Sequence, residues 1–74
     1  MFHHIKSEVL NNGNRVTLWD RGSAGGYCYQ IEVVGVYGQP IQKINLDDTP
    51  FDSALRGFFD VVSELRYRAP YEAA

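Results

Sequence analysis

The sequence has a single cysteine, Cys28, which excludes an internal disulfide and a multi-cysteine zinc site. A lone thiol suits a reducing compartment. No stretch approaches the roughly 20 apolar residues that span a bilayer. The opening segment, MFHHIKSEVL, lacks the continuous apolar run of a signal peptide. A soluble, cytoplasmic protein is therefore expected. Charge of one sign is also missing: seven Lys+Arg face nine Asp+Glu, a net −2. Nothing in that balance draws the chain strongly to phosphate backbones or anionic lipid. With three prolines and no repeat or biased tract, no linker divides the chain. What remains is 74 residues, 45% hydrophobic, enough for one small domain, 1–74, with a modest core.

That core is foreshadowed by alternation, then by a helical period. Residues 3–10 alternate, and Asn12-Gly13 after them is the strongest short hairpin signal. A two-residue turn there pairs Val9 with Val16, Ser7 with Leu18 and Lys6 with Trp19. Residues 15–20 form a second strand, and Gly-rich residues 21–26 form a loop. Residues 27–37, rich in aromatic and β-branched side chains, form a third. Placing Asp20 opposite Tyr27 pairs Leu18 with Tyr29, Val16 with Ile31 and Arg15 with Glu32. Gly38-Gln39 reads as a second tight turn leading into residues 41–46, with Ile31 opposite Leu46 and Val33 opposite Ile44. Thr49 as N-cap, Pro50 at the first helical position and Asp52 beside it open a helix over about 50–68. Pro70 is expected to end it.

The expected fold is α+β: a four-stranded antiparallel meander in the order 1-2-3-4, with one C-terminal helix packed on one face. The sheet should contribute Ile5, Val9, Val16, Leu18, Tyr29, Ile31, Val33, Ile44 and Leu46 to the core. The helix should contribute Phe51, Leu55, Phe58, Phe59, Val62 and Leu65.

Chemistry is sparse. His3 and His4 are adjacent, so on a strand they point to opposite faces and cannot share a metal. Cys28 has no base beside it in the expected register. Residues 22–26 lack the Lys-[Ser/Thr] of a phosphate loop, and a strand follows them where a phosphate loop needs a helix. Asp47-Asp48 suit the helix dipole without a catalytic role. No catalytic residue, cofactor or metal is expected, and the protein is read as not an enzyme.

A sheet covered by one helix leaves its other face open. The register assigns Trp19, Lys6, Arg15, Val34, Val36, Ile41 and Lys43 to that face; an uncovered indole with β-branched neighbours marks a contact surface, and the alternative is that the N-terminal strand, the loop or the C-terminal tail folds over them. Arg66, Tyr67, Arg68 and Tyr71 at the helix end form a second candidate patch. Two readings follow. One is a non-enzymatic interaction module of the adaptor or inhibitor type, its partner a second copy or another protein. The other is a single-stranded nucleic-acid binder that stacks bases on Trp19. The strand-then-helix order resembles in outline single-stranded-DNA-binding transcriptional coactivators, and equally small phage-encoded inhibitor proteins; no motif carries either likeness.

Overall fold

The structure is a computed structural model that describes residues 2–22 and 28–73, with side chains as far as Tyr67. Alternating and β-branched segments become β1 (His3–Val9), β2 (Arg15–Asp20), β3 (Cys28–Val34) and β4 (Pro40–Asp47). The amphipathic segment becomes α1 (Phe51–Ala73). The strands form one antiparallel sheet in the order β1-β2-β3-β4, so the α+β meander with a C-terminal helix is the observed fold. Tyr27 and most of the Gly-rich loop, 23–27, lie outside the described residues.

The registers differ from the expected ones, and the turns explain why. In the first hairpin Leu10 N–H donates to the Asn14 carbonyl at 2.7 Å and Gly13 N–H donates to the Leu10 carbonyl at 2.9 Å. The loop therefore has three residues, Asn11-Asn12-Gly13, and only Gly13 takes positive φ, at 90°. This is a type I turn closed by a left-handed glycine, which needs one positive φ where a type I′ turn needs two. The second hairpin repeats the pattern. Gly35 N–H donates to Gln39 at 2.8 Å, Gly38 N–H donates to Gly35 at 2.9 Å, and Gly38 has φ 82°.

The extra loop residue slips β1 by one position. Lys6 faces Leu18 and Glu8 faces Val16, where the pattern had put Ser7 and Val9. A one-residue slip exchanges the faces of a strand. Lys6 and Glu8 consequently lie on the helix side, Val9 is exposed, and Leu10 is buried in the core instead. A bulge between His4 and Lys6 returns Ile5 to the core and sets His4 opposite Trp19. Between β2 and β3 the shift is two residues: Arg15 faces Val34, not Glu32, and Leu18 faces Ile31. Between β3 and β4 a bulge at Ile41 also yields an even shift, so Ile31 faces Ile44 and Tyr29 faces Leu46. Even shifts preserve faces, which is why Val16, Leu18, Tyr29, Ile31 and Val33 stay in the core and Ile44 and Leu46 stay on its side of the sheet.

The helix packs its Ala54, Phe58 and Val62 edge on Val16, Leu18, Ile31 and Val33, all buried. It crosses β2. Near its start Phe51 meets Tyr29 of β3 at 6.1 Å between ring centroids, and further on Phe59 and Arg66 reach over β1. Phe51 and Phe59 flank the buried stripe and stay about two-fifths exposed, unlike the expectation. No residue of β4 is buried, although Ile44 and Leu46 pack against the core's margin.

Both helix ends differ from the sequence reading. Ala54 N–H bonds the Pro50 carbonyl at 2.9 Å, so Pro50 holds the capping position. The Thr49 hydroxyl instead donates to the Asp47 carbonyl at 3.1 Å, tightening the turn in which Asp48 takes φ 53°. The helix also runs on through Pro70 to Ala73. A proline ring already holds a helical φ and forfeits one N–H, here the bond to the carbonyl of Arg66, which lies on an exposed turn.

Candidate functional site

The pairings order the helix-free face into cross-strand rows. Val9, Arg15, Val34 and Pro40 form the row nearest the two hairpin turns. Ser7, Thr17, Glu32 and Lys43 form the next, and His4, Trp19, Gln30 and Asn45 the third. Beyond them Arg21 and Asp47 flank Cys28 and join across it, with Nη1 donating to Oδ1 at 2.7 Å. The middle of the face is thus polar and tightly set, with Thr17 and Gln30 buried.

Trp19 does look away from the helix. It is half-buried all the same, because Phe2 and His4 lean on it with centroids at 6.3 and 5.7 Å. The indole is therefore partly covered by the chain's own first residues, a self-contact worth about 0.5–1.5 kcal/mol per ring pair.

Lys6 is displaced from the candidate set. Its Nζ sits 5.7 Å from the Phe59 ring centroid on the opposite side of the sheet from Trp19. Its neighbour Glu8 accepts from Arg66 at 3.1 Å, which ties the helix to the β1 edge and engages Arg66 of the second candidate patch. Tyr67 is exposed, and the side chains of Arg68 and Tyr71 lie outside the described residues. In the Glu8–Arg66 pair Glu8 is half-buried and Arg66 exposed, at 32% and 49%, so solvent reaches both. A double-mutant cycle on Glu8→Ala and Arg66→Ala should accordingly give a coupling below about 1 kcal/mol that shrinks with added salt.

The remaining candidates gather at the turn end. Arg15 and Val34 share the first row, and Ile41 is the bulged residue beside Pro40. Val36 and Tyr37 occupy the tip of the second hairpin, where Tyr37 is 92% exposed. A Cβ built on Gly13 would lie 2.8 Å from Val36 Cγ2, so the tips of the two hairpins abut. Lys43 stands one row inward, opposite Glu32 of the neighbouring strand. Val9, Val36 and Ile41 all remain more than half exposed.

One arrangement was invisible to strand periodicity. The β1 bulge puts His4 and Ser7 on one face, with Nε2 and Oγ 2.7 Å apart, and Ser7 Oγ lies 3.1 Å from Thr17 Oγ1. A histidine beside a hydroxyl is the start of a nucleophile-base pair. Among the described residues no hydrogen bond orients the second ring nitrogen, and Ser7 is already shared with Thr17. The chain of bonds pins β1 to β2.

Among the described residues no group of three or more His, Cys, Asp or Glu side chains could hold a metal ion, and no helix is long and apolar enough to cross a membrane. No family model, curated protein or solved structure matches this chain.

Proposed function

We propose that the protein is a non-enzymatic protein-interaction module that docks a partner through the turn end of its helix-free sheet face. The observation that carries this reading is the exposure of Val9, Val36, Tyr37 and Ile41 at the turn end of the sheet, where the two hairpin tips abut. Turn tips favour small polar residues, and a valine and a tyrosine there forgo burial that a monomer would gain. Arg15 stands between Val9 and Val34 in the first row, a cation set among the apolar side chains that would face an acidic or carbonyl group of the partner. This moves the contact surface from the indole to the turns. A nucleic-acid role draws less support, since Lys6 and Trp19 stand on opposite faces and Glu32 sits beside Lys43.

Affinity capture from the native host tests it, with three baits: the unmodified chain, Trp19→Glu, and the pair Val36→Glu with Ile41→Glu. A protein retained by the first two and lost by the third is the expected result. Retention by all three would remove the turn end from consideration. Oligonucleotide titration watching the Trp19 emission should give no shift at low salt, and a salt-sensitive shift would favour nucleic acid instead.

A further inference from the structure

β4 is an edge strand that, among the described residues, is not protected along its whole length. Its first part is blunted by Pro40 and by the bulge at Ile41, both ordinary edge defences. From Gln42 to Asp47 the ladder with β3 is regular. The other edge, β1, is broken in mid-strand by its bulge and is tied to the helix through Glu8 and Arg66.

The direction of the free backbone groups follows from the neighbouring ladder. Arg21 N–H donates to the Cys28 carbonyl, so Cys28 turns its polar groups toward β2, and Tyr29 and Ile31 turn theirs toward β4. Their partners Leu46 and Ile44 face inward in return. Lys43, Asn45 and Asp47 therefore carry their N–H and C=O groups outward, the Asp47 carbonyl also accepting from Thr49.

We propose that two copies of this chain pair their β4 edges antiparallel about a two-fold axis at Asn45, forming one continuous eight-stranded sheet. Such an axis runs perpendicular to the sheet and keeps both helices on one side, so opposed residues must share a face. Centring on Lys43 opposes two like charges and draws in the bulge. Centring on Ile44 sets Gln42 against Leu46 and brings the bulged Ile41 against Asp47. Centring on Leu46 shortens the ladder, because Asp48 has left the strand with φ 53°. The Asn45-centred register sets Lys43 against Asp47 of the second copy on the helix-free face. On the helix face it sets Ile44 against Leu46 of the second copy, extending the half-buried margin of each core. The same register joins the outward backbone groups of Lys43, Asn45 and Asp47 in pairs. The proposal uses a different surface from the turn end and stands or falls separately from it.

Sedimentation equilibrium on the full chain tests it with Lys43→Asp, Asp47→Lys and an equimolar mixture of the two. Circular dichroism first establishes that each variant folds, with Lys43→Gln in reserve for a variant that does not. The unmodified chain should dimerise, and each reversal should raise the dissociation constant about tenfold or more, by opposing like charges twice per dimer. Mixing the two reversals should restore the dimer, since each then opposes its complement; the exposed bond from Arg21 to Asp47 contributes little. Val36→Glu should dimerise like the unmodified chain. A strictly monomeric chain at high concentration overturns the proposal. So does a dimer indifferent to either reversal, a mixture that stays monomeric, or a dimer abolished by Val36→Glu.

Discussion

Phe58→Ala should destabilise the protein by about 3–5 kcal/mol, the cost of removing an aromatic ring from a closed core. Phe58 has no solvent exposure and stands among Val16, Leu18, Ile31 and Val33, so the cavity would be walled by a sheet that cannot collapse onto it. In a chain of 74 residues that loss consumes much of the whole folding free energy. It corresponds to a melting temperature lower by roughly 15–30 °C. Phe59→Ala is the informative control. Phe59 is 44% exposed, meets Phe58 edge-on at 5.5 Å and lies under Lys6 Nζ, so its removal should cost about 1–2 kcal/mol. Thermal or urea unfolding of the two variants side by side would check the packing. Equal losses would mean that the helix is rotated about its axis relative to the arrangement described.

Gly13→Ala should cost about 2–3 kcal/mol, more than Gly38→Ala at roughly 1–2 kcal/mol, although both close the same kind of turn. Both glycines hold a positive φ that a side chain resists, and either substitution regains a few tenths of a kcal/mol from the stiffer unfolded chain. The difference lies in the space around them. A Cβ at Gly38 meets nothing within 4 Å, while one at Gly13 would press on the side chain of Val36. Val36→Ala should therefore cost little alone, since Val36 is 58% exposed, and should recover most of the excess in a double variant with Gly13→Ala. Urea unfolding of the four chains gives the coupling directly. Zero coupling would show that the hairpin tips do not touch, and would also remove the geometric basis for a continuous surface at the turn end.

The agreement between sequence and structure is uneven in an instructive way. Strand existence, order and the helix's apolar side followed from period alone, because Val16, Leu18, Ile31 and Val33 alternate and Phe58 and Val62 recur at helical spacing; that Ala54 is buried while Phe51 and Phe59 stay exposed depended on where the helix sits over the sheet. Register depended on how many residues each turn uses. Asn12-Gly13 is compatible with a two-residue and a three-residue loop, and the choice decides which face every β1 residue takes. Lys6 lies on the helix face for that reason alone. Val9 shares the exchange of face, while Ile5 escapes it through a bulge that no local signal marks. The Val36 and Ile41 part of the candidate surface was legible as exposed apolar residues. A covering of Trp19 by the chain's own N-terminal strand stood in the sequence only as the alternative to a contact surface; that Phe2 and His4 supply it needed chain ends and bulges placed in space.

Local spacing of apolar side chains determined the elements, their order and the layer they bury, since burial rewards a periodic stripe whatever the turns do. The tertiary arrangement decided the rest: which strand faces meet the helix, which edge stays open and which apolar residues gather at the tips. Those outcomes hang on one-residue differences in loop and bulge length, which change local energies by little and exchange whole faces of a strand.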